Sequence, residues 1–386
     1  MSVRTCVSLL TAAVLASSAQ CFAQSSFTTH GPRNAITDVE GIWVGSEGRT
    51  DPPYRTGLTL VWTREGAMGS VYVPGGWPGS LNYVVLQPGK REQLLNAVLL
   101  TGGSFLGLRA FSGAFEWLEE KGYASNPLVA GAVVFDLGRG GDVWARPAPD
   151  WARRAMQNST RGEVKQGNVG AGTGTHTGSG IPLKGGLGTA SVVAAEGVTV
   201  GALVITNAVG TPVNFTDCSL FGAVYEVANE FAAYGYRTPA FEECAKVRPQ
   251  PSNPLPPAPW SAPEDPKVAS HPNTTIGVIA TNAPLSRDQA QRVARAANEG
   301  HSRAINPINH INDGDSMFVM STTVGAAPVS EEQLQVIIRA TREVWARAVV
   351  HATLSAESYT HPVTGVTRKS YCDTFPSACS KRLVTK

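Results

Sequence analysis

The sequence predicts an α/β fold of packed sheets flanked by helices, and three observations carry that expectation. Short apolar runs separated by turn signals fill residues 34–110. Strand and helix patterns alternate from residue 274 onward. Between these regions, residues 248–273 hold nine prolines and read as an exposed, extended linker without capacity for a core.

The elements follow in order. Gly41–Gly45 (GIWVG), Thr56–Trp62 (TGLTLVW) and Gly69–Val73 (GSVYV) have the composition of strands in an antiparallel sheet. Val98–Leu100 runs into Thr101-Gly102-Gly103-Ser104. Leu108, Phe111, Phe115 and Leu118 then recur at helical spacing, which predicts a helix over about 106–121. Leu128–Phe135 reads as a buried strand, Val192–Ile205 as a hairpin or strand pair, and Leu220–Tyr234 as a helix. Beyond the linker, Thr274–Thr281 (TTIGVIAT) and Phe318–Thr323 read as strands. Ser286 with Gln289, and Ser330 with Gln333, form capping boxes that open helices. The first helix runs to about Ala304. The second carries Leu334, Ile337, Ile338, Thr341, Trp345 and Ala348 on one face.

A net charge of +2 on 386 residues gives no electrostatic footprint for nucleic acid or an anionic membrane surface. Residues 1–23 read as a secretory signal: Arg4 supplies the positive start, and Val7–Ala16 (VSLLTAAVLA) is an apolar stretch too short to span a bilayer. The cut is placed after Ala23. A lipid anchor on Cys21 is the alternative, but Gln20 stands where such signals need a small residue. The expectation is an exported protein, periplasmic or secreted, with residues 24–386 forming one catalytic domain. Export makes Cys218, Cys244, Cys372 and Cys379 candidates for disulfides. Cys372 and Cys379 bracket a short loop and form the favoured pair, whereas Cys218–Cys244 depends on the fold. None of the four has the Gly-rich or His-paired context of a catalytic thiol.

The sharpest local oddity is Pro272-Asn273-Thr274-Thr275, where the linker meets a buried-looking strand. Read locally, Thr at a strand start and Asn in a turn need no chemistry, and local pattern alone favours that reading. The alternative is specific. A hydroxyl at a strand start can attack the preceding carbonyl and be released as a new N-terminus. Its α-amine, with a reference pKa of about 7.7–8.0, then serves the same hydroxyl as base.

Five blocks in order decide between the two. They are Leu100-Thr101-Gly102-Gly103-Ser104, Gly167-Asn168-Val169-Gly170-Ala171-Gly172-Thr173-Gly174, Lys184-Gly185-Gly186-Leu187-Gly188-Thr189-Ala190, Asn273-Thr274-Thr275-Ile276, and Asp313-Gly314-Asp315. With them the chain resembles, over nearly its whole mature length, the DmpA/BapA-type self-processing aminopeptidases, which include NylC-like nylon-oligomer hydrolases. The resemblance implies an α-β-β-α sandwich of the DmpA/ornithine-acetyltransferase type. It implies cleavage between Asn273 and Thr274, giving an α subunit (24–273) and a β subunit (274–386). It also implies a homo-oligomer, a tetramer of αβ units. Thr274 matches the family's nucleophile, and cleavage directly after the Asn favours it over Thr275.

The same resemblance implies roles for the other blocks. Asp313 and Asp315 occupy the Asp-Gly-Asp position, where two carboxylates on one side of an extended segment would orient the nucleophile's amine and hydroxyl. A lone Asp-x-Asp, even beside Asn312, has too few oxygen ligands for calcium, so no metal or cofactor is implied. Lys184 matches an active-site lysine of NylC-like members, held charged near two carboxylates. Asn207 matches an oxyanion donor, a role worth about 3 kcal/mol of barrier. The Gly-rich run over 167–189 lacks the Gly-Lys-Ser/Thr and the strand-helix frame of a phosphate loop.

Two positions depart from the family pattern. Some relatives place a tyrosine hydroxyl where this chain has Phe135, and His310 is displaced by one from the family's spacing to Asp313, which makes it a pocket or structural residue. The implied activity is amide hydrolysis of short peptides with free N-termini, including β- or D-residue peptides, or of nylon-type amides. An acyltransferase of the ornithine-acetyltransferase type and a non-catalytic exported binding protein are the rival readings.

Overall fold

The computed structural model describes residues 25–178, 180–247 and 273–381. The expected signal segment, and the linker except Asn273, lie outside these residues. The first half of the chain supplies β1 (Trp43–Arg49), the 17-residue β2 (Thr56–Tyr72), β3 (Ser80–Leu81), β4 (Leu95–Thr101), a single turn α1 (Ser104–Gly107), α2 (Phe111–Glu120), β5 (Val129–Val133) and α3 (Pro149–Gln157). A short hairpin, β6 (His176–Thr177) and β7 (Leu183–Lys184), precedes β8 (Leu187–Ala195), β9 (Val198–Ile205) and α4 (Phe241–Val247). Then come β10 (Ile276–Thr281), α5 (Arg287–Ser302), β11 (Ser316–Ser321), α6 (Glu331–Leu354) and small C-terminal pieces.

The strands form one hydrogen-bonded path in the order β3-β5-β4-β2-β11-β10-β9-β8, with β1 also paired to β2. β2 links the two halves: Leu58–Trp62 pair with β4, and Met68–Tyr72 pair with β11. The runs 56–62 and 69–73 are therefore one strand, with an irregularity between Trp62 and Ala67. Period-2 alternation places each half of the path between two apolar layers. Ile276, Val278 and Ala280 of β10 join Val98 and Leu100 of β4 in a layer between the sheets, while Ile279 turns outward to meet α5 and α6. Leu58, Leu60 and Leu99 turn to the opposite side and meet α2 and α3. The result is the expected helix-sheet-sheet-helix sandwich. Each fully buried Ile or Val of β10 contributes about 1.5–3 kcal/mol. Gly277 sits where Trp345 of α6 lies on the strand, and a Cβ there would come within 2.8 Å of its ring.

Both capping boxes form as read: Ser286 accepts from the Gln289 N–H, Ser330 from the Gln333 N–H, and both glutamines reach back. The disulfides are Cys218–Cys244 and Cys372–Cys379, so all four cysteines of the described residues are paired. Among the described residues, no helix is long and apolar enough to cross a membrane.

The expected helix over Leu220–Tyr234 is instead two 3-10 turns, Phe221–Tyr225 and Glu230–Tyr234. Ala228 and Asn229 lie at φ 53° and 57°, left-handed backbone that interrupts any helix. The segment is held by charge. The buried Arg347 of α6 donates through Nε to Glu230 Oε1 (2.5 Å) and through Nη2 to Oε2 (2.9 Å), and also binds Ser191 O and Asn34 Oδ1. His351 Nε2 lies 2.7 Å from Glu230 Oε2. Burial alone would raise the Glu230 carboxyl, but hydrogen bonds from His351 and Arg347 hold it far below its ordinary range.

Glu230→Ala leaves the Arg347 charge buried and unpaired, and is expected to destabilise the fold by about 3–5 kcal/mol in urea unfolding. Because the carboxyl is depressed in the folded state, this contribution is present above its ordinary value of 4.5 and is lost as pH falls below it. The variant's deficit should therefore shrink in acid.

Candidate active site

Strand register gathers the sequence blocks at one end of the sheet. Ile276 of β10 pairs antiparallel with Ile205 of β9 and parallel with Ser316 of β11. Two residues further back along β10, Thr274 therefore lies between Asn207 and Gly314. The hydrogen bonds agree: Thr274 N donates to Asn207 O at 2.8 Å, and Gly314 N donates to Asn273 O at 3.1 Å. On the outer side of β9, β8 starts at Leu187 opposite Ile205, which brings Lys184 and Gly185 to the same end. On the outer side of β11, Gly75 N donates to Asp315 O. Gly75 is a close approach, since a Cβ there would lie 2.3 Å from Asp315 N.

Thr274 is buried within the chain. Its hydroxyl donates to the carbonyl oxygen of Asn273, the bond expected to be cut, and Gly314 N reaches the same hydroxyl at 3.2 Å. One backbone N–H thus serves both the nucleophile candidate and the carbonyl it would attack. The two carboxylates support this arrangement from beside it. Asp315 Oδ1 accepts from Thr275 N (2.6 Å), and Oδ2 accepts from Asn309 N (3.1 Å) with His301 Nε2 at 3.5 Å. Asp313 Oδ1 accepts from Val209 N at 3.3 Å. In the intact chain the Thr274 hydroxyl is therefore oriented by backbone, where the sequence pattern suggested the carboxylates. Burial, then the Asp315 charge, push the Asp313 carboxyl up to about 8.

Asn207 is fully buried. Its Oδ1 accepts from Arg139 Nη1 (2.7 Å) and from His176 N (2.9 Å), and its Nδ2 donates to Phe135 O (3.3 Å). Phe135 meets Asn207 through its backbone carbonyl. Lys184 is buried as expected, but its Nζ donates to the carbonyls of Gly172 (2.9 Å) and Gly185 (2.7 Å), and the carboxylate acting on it is Asp136. Burial, then Arg55 and Arg139, lower its ammonium well below the lysine range. The His176 imidazole is lowered by burial and by Arg139, Arg368, Lys184 and Arg55. Burial raises Asp136 to about 6 despite the Gly103 N–H at 2.7 Å and the charges of Arg139 and Lys184.

His310 closes a turn: its carbonyl accepts from Asp313 N and its Nδ1 from Asn312 N. Arg139, His176, Asp136, His301 and the Gly314 N–H are site groups that the sequence pattern did not disclose. Arg139 lies in a loop after β5 with no periodicity to mark it. His301, at the end of α5, looks like an ordinary C-terminal helix residue.

Comparison with known proteins identifies the family and the fold. Residues 34–366 match the model of Peptidase family S58. The chain is 37% identical over 376 residues to a Mycobacterium leprae protein named an uncharacterized aminopeptidase, covering 90% of this chain and 96% of that one. It is 28% identical over 298 residues to the 6-aminohexanoate-oligomer endohydrolase of Paenarthrobacter ureafaciens, 74% of each. Among solved structures, a β-aminopeptidase of Burkholderia sp. superposes with TM-score 0.64 at 24% identity, covering 91% of this chain and 94% of that one. The L-aminopeptidase D-Ala-esterase/amidase of Ochrobactrum anthropi, described as a variant of the Ntn hydrolase fold, superposes with TM-score 0.65 at 22% identity, covering 93% and 98%. The chain belongs to peptidase family S58 and has the fold of these aminopeptidases.

The raised Asp313 gives a signed pH dependence. Its contribution to stability is fully present below its ordinary value of 3.8 and is lost as pH rises through about 8. A Thr274→Ala chain, its 273–274 bond verified intact by mass, should show a falling urea midpoint between pH 6 and 9. Adding Asp313→Asn should flatten that fall, and equal slopes in the two chains would contradict the assignment.

Proposed function

We propose that this member of peptidase family S58, an amide hydrolase, is made as a precursor that cuts its own Asn273–Thr274 bond and then works through Thr274. The observation that carries this reading is the buried Thr274 hydroxyl held against the Asn273 carbonyl, with the Gly314 N–H donating to both. In the first reaction Thr274 Oγ1 adds to the Asn273 carbonyl carbon. The oxyanion forms at the Gly314 N–H, the C–N bond breaks, and the Thr274 nitrogen leaves as an amine carrying the proton that Oγ1 gives up. Water then hydrolyses the ester, leaving a carboxylate on Asn273 and an α-amine on Thr274.

In the mature enzyme that amine takes the hydroxyl proton as Oγ1 adds to a substrate amide, and delivers it to the departing amine. The acyl group rests on Thr274 until water removes it. Asn207, already bonded to residue 274 through its backbone, offers a side-chain NH2 to the oxyanion. The names of the relatives favour short peptides and oligomeric ω-amino amides as substrates. Export is supported by the two disulfides, since such bonds persist in oxidising compartments.

Purified protein should run as two fragments, the larger roughly twice the smaller, with Thr at the N-terminus of the smaller. Thr274→Ala should stay whole and lose hydrolysis of a panel of L-Ala, D-Ala and β-Ala p-nitroanilides and a 6-aminohexanoate oligomer. A single full-length band from the unaltered chain would sink the reading. Transfer of the acyl group to an added amine in preference to water would mark an acyltransferase.

A further inference from the structure

The Asn207 side chain is held more firmly than an oxyanion donor requires. Two donors, the Arg139 guanidinium and the His176 N–H, converge on Oδ1 at 2.7 and 2.9 Å. Turning the amide over would set its NH2 against both, so its orientation is fixed. An NH2 group has two hydrogens. Phe135 O takes one at 3.3 Å, and the other is left for a developing oxyanion.

The Arg139 bond is charge-assisted and buried. Withdrawing electron density at Oδ1 makes the Nδ2 hydrogens stronger donors, an effect that a low-dielectric site enlarges. Arg139 is itself fixed, its Nη1 also donating to Gly174 O at 2.5 Å. Around His176, the other donor to Asn207, stand Arg139, Lys184, Arg368 and the half-buried Arg55, whose guanidinium lies 4.0 Å from the Tyr359 ring centre. Asp136 is the carboxylate facing Arg139 and Lys184. Three arginines therefore lie on the Asn207 side of the site, while Asp313 and Asp315 lie on the Gly314 side.

We propose that Arg139 is a positioning residue of the oxyanion site: it locks the Asn207 amide with its NH2 facing the reaction and polarises it toward negative charge. The proposal rests on the Thr274 reading above. Arg139 acts through Asn207 and touches no substrate atom, so its effect falls on the chemical step and not on ground-state binding.

The test is a double-mutant cycle on the full chain, using whichever p-nitroanilide of L-Ala, D-Ala or β-Ala is turned over fastest. Rates are referred to the cleaved fraction on a gel. Arg139→Met should lower kcat about 100-fold with KM within about twofold, the scale of one lost oxyanion donor. Arg139→Lys should recover part of the loss. In an Asn207→Ala background, Arg139→Met should cost no more than about a further twofold, because the residue through which it acts is gone. Losses that multiply, or a raised KM at unchanged kcat, would overturn the proposal. Should Arg139→Met fail to fold, Arg139→Lys with and without Asn207→Ala gives the same comparison, since Lys keeps the buried charge and loses the paired geometry. Thr274→Ala separates the two claims. Full activity in that variant defeats the nucleophile reading, whereas an inactive Thr274→Ala beside multiplicative Arg139 and Asn207 losses defeats this inference alone.

Discussion

The pairing of β10 between β9 and β11 is the constraint on which the rest depends. One strand hydrogen-bonded on both sides cannot slip without turning its whole buried set, Ile276, Val278 and Ala280, out of the central layer. That lock extends two residues beyond the strand. It fixes Thr274 opposite Asn207 on one flank and opposite Gly314 on the other. The apolar energy of β10 thus defines where a polar side chain sits, and the hydrogen bonds to Asn207, Gly314 and Asn273 then orient it. Because β2 belongs to both halves of the strand path, the loops after β4 and β5 are carried to the same place by the other sheet.

Burying this much charge has a consequence for how the site is divided. Two carboxylates lie on the β11 side, and one of them is held toward its neutral form by burial and by the other. On the β9 side, Arg139 and Lys184 act on Asp136, and the same two with Arg55 and Arg368 act on His176. Isolated buried charges cost several kcal/mol each, so neither side would persist as a neutral design choice for stability. Thr274 lies on the line between them. Negative charge developing at a carbonyl there is favoured from the Asn207 side. An amine formed at Thr274 is favoured by the carboxylates across from it. The two fields act on different atoms of one reaction.

Legibility from sequence followed physical range. Capping boxes, strand alternation and the α6 face depend on neighbours within a few residues, and all were readable. The β2 strand was read as two because its middle, Thr63 to Met68, breaks the apolar run without ending the hydrogen bonds. The stretch 220–234 differs because apolar spacing says nothing of Ala228 and Asn229, whose left-handed backbone stands just before Glu230, the residue tied to α6. At the site, Lys184, Thr274 and the two aspartates lie in blocks that mark themselves, and Asn207 stands just beyond a readable strand. Arg139, His176 and His301 do not. Their partners are 68, 31 and 14 positions away in the chain, and only the folded register brings them together.

On the proposed reaction, the site is used twice with the same groups. Before cleavage the Asn273 carbonyl is the substrate, lying at the Gly314 N–H with the Thr274 hydroxyl upon it. Once the bond is cut, the chain end at Asn273 is a separate carboxylate, free to leave the position its carbonyl held. The N–H of Gly314 and the amide of Asn207 stay, because strand pairing and the Arg139 bond hold them irrespective of residue 273. A substrate carbonyl that enters then meets donors already set at the distance the chain's own carbonyl required. Self-cleavage in this view needs no separate machinery. It is the first turnover of a site whose geometry is completed by β9, β10 and β11.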